Sequence, residues 1–143
     1  MGIVKAVSIS KSKGSRKVNV PEALLKEGSG IIGDAHAGSS RQISLLADES
    51  IEKMRKKGLN VGPGDFAENV TTEGIDLLNL KRGDRLGVGG EAIVEITEKG
   101  KECRARCSIY YQAGDCVMPR EGIFANVIKG GAVKPGDKIT ILC

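Results

Sequence analysis

Residues 83–97 read GDRLGVGGEAIVEIT, and this stretch shows the pattern that decides the fold. A Gly-Asp pair at 83–84 precedes two short segments, 85–88 and 92–97, that are rich in Val, Ile and Leu. Gly tolerates a positive φ and Asp can hydrogen-bond the neighbouring backbone, so the pair predicts a tight turn. Short aliphatic segments bounded by such turns are typical of β-strands. The stretch therefore predicts a turn followed by two strands.

The same turn chemistry recurs along the chain. Gly-Asp pairs stand at 33–34, 64–65, 83–84, 114–115 and 136–137, and two of them lie in similar heptapeptides, LKRGDRL at 80–86 and VKPGDKI at 133–139. Their spacing is irregular, which excludes a solenoid repeat. Between the turns, the aliphatic segments predict strands at 3–10, 17–20, 41–46, 85–88, 92–97, 122–128 and 138–142.

One helix is predicted between Asp48, as its N-cap, and Gly58, which ends it. Ile51 and Met54 are three residues apart, so they share one face and can pack on a sheet. A further short helical turn is possible at 75–78. So few helices cannot cover both faces of a doubly wound sheet. The sequence predicts a mainly β, barrel-like fold with one or two short helices.

Length and composition limit the class of protein. A chain of 143 residues with 40% hydrophobic and 28% charged residues fits a single domain, 1–143. The net charge of +4 is mixed along the chain and no recognised nucleic-acid motif is present, so we expect no nucleic-acid partner. No apolar run reaches the about 18 residues of a membrane span, and the N-terminus has no signal-peptide core. We therefore expect a cytoplasmic protein with no membrane association.

In that compartment the four cysteines, Cys103, Cys107, Cys116 and Cys143, are expected to be reduced. Four cations and one carboxylate lie within four residues of Cys103, and their net positive charge should lower the pKa of its thiol. We therefore predict a reactive thiolate that carries sulfur or ligates a soft metal. Three alternatives stay open: a zinc site that adds His36 to three of the cysteines, a Cys103–Cys107 disulfide, and an inert side chain.

Other polar clusters carry ligand-binding candidates. In GDAHAG, at 33–38, glycines allow backbone amides to approach an anion, and His36 and Arg41 supply further donors. Glu68 and Asn69 precede a β-branched segment and could hydrogen-bond a heteroaromatic ligand at the mouth of a barrel. Arg120 could complete an anion site with Arg41. A capped turn at His36, a simple turn at 68–69 and a surface ion pair at Arg120 are the structural alternatives.

In this order, the clusters resemble the MOSC domain, the module named for the C-terminal part of molybdenum cofactor sulfurases. The matching stretches are GDAHAG and RQISL within 33–45, FAENVT at 66–71, the turn at 83–84, Cys103, REGIFA at 120–125 and GDKI at 136–139. The resemblance covers nearly the whole chain, from 4 to 142. It is to a small, stand-alone bacterial version of the module.

The resemblance implies a mainly β, barrel-like fold and a role around the molybdenum cofactor, molybdopterin. In the family one cysteine after a late strand is the functional thiol, and Cys103 occupies the matching position, with Cys107 as second choice. Cys103 is thereby also the candidate molybdenum ligand. The residues that we expect to bind the cofactor are His36, Arg41, Glu68, Asn69 and Arg120.

The same resemblance indicates which partners to expect. They are a cysteine desulfurase dependent on pyridoxal phosphate, or other proteins of molybdenum cofactor biosynthesis. Because no Lys here lies in a recognisable Schiff-base motif, pyridoxal phosphate would belong to the partner. Three functions follow as hypotheses, and they leave open whether the protein is an enzyme. They are a sulfur carrier that uses Cys103, a non-catalytic molybdopterin-binding module, and a molybdoenzyme that reduces N-hydroxylated compounds.

Overall fold

The computed structural model describes residues 2–10, 17–34, 37–38, 42–58, 60–64, 68–99 and 122–142. These ranges form mostly strands, with one α-helix, α1 (Asp48–Arg55), and a short 3-10 turn (Leu77–Asn79). The strands, in chain order, are β1 (Gly2–Ile9), β2 (Val18–Val20), β3 (Ala23–Lys26), β4 (Gly30–Ile31), β5 (Ile43–Ala47), β6 (Val70–Glu73), β7 (Arg85–Val88), β8 (Ala92–Lys99), β9 (Ile123–Lys129), β10 (Gly131–Val133) and β11 (Lys138–Leu142).

Seven of these strands close into a barrel. Their order is β11, β7, β8, β9, β5, β6, β1, and β1 pairs back with β11 through Gly2 and Ile139. The neighbours β5 and β6 are parallel, and the other neighbouring pairs of the barrel are antiparallel. Closure removes the open sheet edges that would otherwise invite pairing with another chain. The mainly β, barrel-like fold predicted from the sequence is confirmed.

The strand directions define two ends of the barrel. At the upper end β1 finishes, and β5 and β6 begin; α1 follows β5 at the lower end. The strand β2 pairs with the last residues of β1, from Val7 to Ile9. The small sheet formed by β10, β3 and β4 is anchored near the upper end, because the backbone N–H of Gly28 donates to Val127 O at 3.0 Å.

Aliphatic side chains fill the barrel and a second layer outside it. On β9, Ile123, Ala125 and Val127 belong to the main buried cluster, as the alternation of a strand requires. This cluster also contains Val4, Val7, Leu45, Val70, Leu86, Val94, Ile96 and Ile139. Outside the barrel, α1 contacts β5 and β6, and its Ile51 and Met54 are fully buried. The predicted shared face of Ile51 and Met54 is thereby confirmed.

The start of α1 differs from the prediction. Ala47 is the N-cap residue, with no side-chain capping bond, and Asp48 is the first residue of the helix. The Asp48 carboxylate instead lies 3.1 Å from Arg55 Nη2 and 3.5 Å from Lys5 Nζ, so two cations hold it beside the helix. The helix ends at Arg55, with Lys56 as its C-cap, three residues before the predicted Gly58. Gly58 closes the turn that follows, because its φ is +91° and its N–H donates to Arg55 O.

The sequence pattern located most barrel strands and the possible helical turn, which appears as the 3-10 turn. It did not predict β3, β4 and β10, the three strands of the small sheet. No helix in the described ranges combines the length and the apolar character that crossing a bilayer requires.

Candidate functional site

A cluster of polar groups, most of them buried, lies at the upper end of the barrel. We call it the polar cluster; its members are Ser8, Ser10, Lys17, Asn19, Asp34, Ser44, Gly64, Glu68, Asn69 and Thr71. They come from five separate stretches of chain. Burying polar groups costs free energy unless each finds a hydrogen-bond partner, so a large buried polar network is worth explaining.

Asn69 ties three strands together at this end. Its side-chain Oδ1 accepts from the backbone N–H of Ser44 at 3.0 Å and from the Ser44 hydroxyl at 3.2 Å. Its Nδ2 donates to the carbonyl oxygen of Ser8 at 3.1 Å. Since Ser8 is on β1, Ser44 is on β5 and Asn69 precedes β6, one amide side chain fixes the relative positions of all three strands.

Glu68 is fully buried and holds the turn before it. Its Oε1 accepts from the N–H of Gly64 and its Oε2 accepts from the Thr71 hydroxyl, each at 3.0 Å. Both Glu68 and Asn69, predicted to bind the cofactor, therefore hydrogen-bond within the chain; whether either also contacts a ligand stays a prediction.

A fully buried ion pair completes the polar cluster. Lys17 Nζ lies 2.7 Å from Asp34 Oδ1, and neither side chain has any exposed surface. Lys17 Nζ also donates to the Ser10 hydroxyl at 3.2 Å, and the Ser10 N–H donates to the same Asp34 oxygen at 3.0 Å. Among the described residues of the GDAHAG motif, Asp34 is thus the one whose side chain is buried in an ion pair.

Gly64 connects the ion pair with Glu68. Its carbonyl oxygen accepts from the Lys17 N–H at 2.8 Å, while its own N–H donates to Glu68. The φ of Gly64 is +90°, and an added Cβ would lie 2.6 Å from Lys17 O, so only glycine fits here. The Lys17 side chain therefore bonds to Asp34, the Lys17 backbone bonds to Gly64, and Gly64 bonds to Glu68. These four residues form one connected network.

The remaining predicted site residues, His36, Arg41, Cys103, Cys107 and Arg120, lie outside the described residues, as do Cys116 and Cys143. Two residues of the GDAHAG motif after Asp34 are described. The Ala37 N–H donates to Asp34 O at 3.2 Å, and the Gly38 N–H donates to Ser29 O at 2.8 Å. Among the described residues there is no group of three or more His, Cys, Asp or Glu side chains placed to hold a metal ion, and the ligands of the zinc alternative fall outside these residues.

The strands on either side of the cysteine-containing segment are described. The chain leaves β8 at Lys99, which pairs with Ile123 on β9. Ile123 pairs with Leu45 on β5, and Leu45 pairs with Val70, the residue after Asn69. With strands about 4.8 Å apart, three such steps correspond to about 14 Å between Lys99 and Val70.

Sequence reasoning did not single out Lys17, and it treated Asp34 only as a turn residue. Lys17 ends a run of basic and small residues that reads as solvated chain, and its partner lies seventeen positions further on. No local pattern marks a lysine that will be buried. The signal available for Asp34 was its place between Gly33 and the His36 segment.

A concave feature, separate from the polar cluster, lies at the lower end. It is a cavity of about 330 Å³ between α1 and the turn after β6, lined in part by Glu49, Ser50, Lys53 and Asp76. Glu49 Oε2 accepts from the N–H of Gly74 at 3.0 Å and so closes one side of it. Neither Glu68 nor Asn69, the two predicted site residues that the structure describes, lines this cavity.

The family model for the MOSC domain matches residues 33–140. Among solved structures, the YuaD protein from Bacillus subtilis has a TM-score of 0.80 at 22% identity, covering 96% of this chain and 93% of its own. YiiM from Geobacillus stearothermophilus has a TM-score of 0.74 at 16% identity, and the match covers 100% of this chain and 76% of YiiM. YiiM from Escherichia coli has a TM-score of 0.68 at 21% identity, and the match covers 100% of this chain and 70% of that protein. At these identities the structural matches show a shared fold alone.

The match to the family model covers most of the chain and includes Asp34, Glu68 and Asn69 of the polar cluster. The chain therefore belongs to the MOSC domain family, which is associated with the molybdenum cofactor. No curated protein matches the sequence at a significant level.

Proposed function

We propose that the protein binds the molybdenum cofactor at the upper end of the barrel and uses Cys103 as its functional thiol, as a sulfur carrier. The observation that carries this proposal is the junction of two family-motif stretches in one buried network. Asp34 comes from GDAHAG and Glu68 from FAENVT, and Lys17 and Gly64 connect them by hydrogen bonds. Such a network provides the rigid support that a precisely shaped binding site requires.

The described residues fit this cofactor as a support. Glu68 and Asn69 have 0% and 1% of their surface exposed, so their described bonds brace the strands and turns around the site. The anionic phosphate of molybdopterin requires cationic and N–H donors, which His36, Arg41 and Arg120 would supply. When bound, the cofactor would supply the redox chemistry of molybdenum.

The position of Cys103 in the chain is compatible with this site. Cys103 is four positions after Lys99, and an extended chain of four steps spans at most about 14 Å. The strand spacing between Lys99 and Val70 also corresponds to about 14 Å. Because β8 runs in the same direction as β5, the chain leaves β8 towards the lower end, and the proposal requires the segment after Lys99 to turn back towards Asn69.

As a carrier, the Cys103 thiolate would attack the outer sulfur of a cysteine persulfide on a partner desulfurase. A new sulfur–sulfur bond would form on Cys103, and the partner's cysteine would leave as a thiolate, so no external oxidant or reductant is needed. Pyridoxal phosphate would stay with the partner. A cytoplasmic location, where thiols stay reduced, belongs to the same proposal.

We expect Cys103→Ser to abolish both sulfur loading and cofactor retention, and the matched variant Cys107→Ser to leave them largely intact. The anaerobically purified proteins would be incubated with a cysteine desulfurase and cysteine, and intact mass would report the gain of one sulfur. Elemental analysis would report molybdenum in the same samples. Equal losses in both variants would contradict a single functional thiol and indicate a dithiol or shared-metal site.

Molybdenum retention without sulfur loading would favour one of the two other hypotheses. In that case an assay for reduction of an N-hydroxylated compound distinguishes a molybdoenzyme from a non-catalytic binding module.

We also expect Cys103 to react with alkylating agents faster than the other cysteines near neutral pH. Its cationic neighbours should hold the pKa of its thiol below the ordinary value of about 8.5. Alkylation rate against pH, measured for the wild type and the four single Cys→Ser variants, tests this directly. If Cys103 reacts no faster near neutral pH than Cys143, its thiol is not activated.

A further inference from the structure

The Lys17–Asp34 ion pair connects the elements that surround the upper end. Lys17 precedes β2, and Asp34 follows β4, so the pair joins a hairpin of the barrel to the small sheet. The Ser10 N–H and hydroxyl, at the end of β1, bind the two partners at 3.0 and 3.2 Å. Three chain segments therefore meet at one pair of charges that is sealed from solvent.

Stability alone does not explain a pair of this kind. Removing two charges from water costs free energy that their mutual attraction barely repays, and apolar replacements of similar volume are often as stable. A buried pair does hold the two residues at a fixed distance, because separating them would leave each charge buried without a partner. The geometry fixed here is that of Asp34, whose carbonyl oxygen accepts the N–H of Ala37 at 3.2 Å.

We propose that Lys17 is a positioning residue, whose buried ion pair with Asp34 fixes the backbone of the GDAHAG motif and thereby sets the affinity of the site for its anionic cofactor. The affinity part rests on the function proposed above. Lys17 does not contact the ligand, since its side chain has no exposed surface. It acts through Asp34 and the chain that follows.

The test compares two double variants with the wild type. Lys17→Met/Asp34→Asn removes both charges, keeps similar volumes and retains a side-chain oxygen that can accept the Ser10 N–H. Lys5→Met/Asp48→Asn makes the same exchanges at a pair 3.5 Å apart at the lower end, and serves as the matched control. Removing both charges together avoids leaving one of them buried and unpaired, which would unfold the protein for an unrelated reason.

Two measurements are made on each protein. Binding of molybdenum cofactor freshly released from a molybdoenzyme gives the affinity, and hydrogen–deuterium exchange of the peptide covering residues 29–42 reports the order of the motif backbone. For Lys17→Met/Asp34→Asn we expect at least about a tenfold loss of affinity, as for other residues that orient a ligand-binding group. We expect faster exchange confined to 29–42, with a melting temperature close to that of the control.

Unchanged exchange in 29–42, or a rise spread equally over the barrel strands, would overturn the positioning role. So would unchanged affinity in a variant whose exchange had risen. If the wild type binds no cofactor, the proposed function and the affinity part fail together. Exchange in 29–42 then decides by itself whether Lys17 positions the motif.

Discussion

We expect Asn69→Ala to lower the free energy of unfolding by about 3–5 kcal/mol, because it removes three buried hydrogen bonds that join β1, β5 and β6. The Ser44 N–H and hydroxyl and the Ser8 carbonyl oxygen all bond to this one side chain. The residue is 1% exposed, so water cannot replace the lost contacts without opening the strands. Urea denaturation of the variant measures the loss.

The variant Asn69→Asp tests one of these hydrogen bonds separately, because it keeps the shape of the side chain and replaces the Nδ2 donor by an oxygen. The introduced carboxylate places an oxygen where the amide nitrogen now donates to Ser8 O, and only its protonated form can donate there. Its pKa in the folded protein should therefore rise above the unfolded value of about 3.9. The variant is then closest to the wild type below pH about 4 and loses stability as the pH rises through the folded pKa.

The exposed residue Asn60 provides the control for this experiment. We expect Asn60→Asp to show little difference from the wild type across the same pH range. A stability deficit in Asn69→Asp that is constant from pH 3 to pH 7, or one that shrinks as the pH rises, would contradict the assigned hydrogen bond to Ser8.

The second large effect is expected for Gly64→Ala, which should cost about 3 kcal/mol or more. A positive φ of +90° alone costs a residue with a Cβ about 1–2 kcal/mol. Here the added Cβ would also lie 2.6 Å from Lys17 O and 3.1 Å from Ser8 Oγ, so the backbone of the polar cluster must shift. The same shift would strain the Gly64 contacts with Lys17 and Glu68.

Gly58→Ala is the matched control, because Gly58 has nearly the same φ, +91°, and no heavy atom within 4 Å of the added Cβ. It isolates the cost of the backbone conformation from the cost of the collision. Thermal or chemical denaturation of both variants gives the difference. Equal losses would mean that the close approach of Gly64 to Lys17 contributes nothing to stability.

How far the sequence predicts the fold depends on where the strand signal resides. For β7 and β8 the signal lies in the local sequence, since both strands are rich in aliphatic residues and follow a turn or a pair of glycines. The short strands β3, β4 and β10 do not: they are two to four residues long, and pairing with each other makes them strands. Tertiary context of this kind leaves little trace in a local pattern.

The candidate site divides in the same way. The sequence identified Glu68 and Asn69 as significant polar residues and predicted that they bind the ligand, which stays a prediction. It did not predict their hydrogen bonds within the chain, because composition does not show which strands or turns a side chain joins. The Lys17–Asp34 pair depends on the sheet arrangement that buries both partners. The sequence does not distinguish a lysine that will be buried from one that will be solvated. The predictions for His36, Arg41, Cys103, Cys107 and Arg120 stay predictions.

The closure of the barrel has a consequence for how the chain reaches its native state during synthesis. The first strand, β1, pairs with β6 through Val7 and Val70 and with β11 through Gly2 and Ile139, both far along the chain. Contacts between such distant residues require large loops to close, which slows folding. On the ribosome β1 has only the short β2 as a neighbour until β6 emerges, and its pairing with β11, which closes the barrel, must wait for the last strand. An unpaired apolar strand in that interval is a site for aggregation or for chaperone binding.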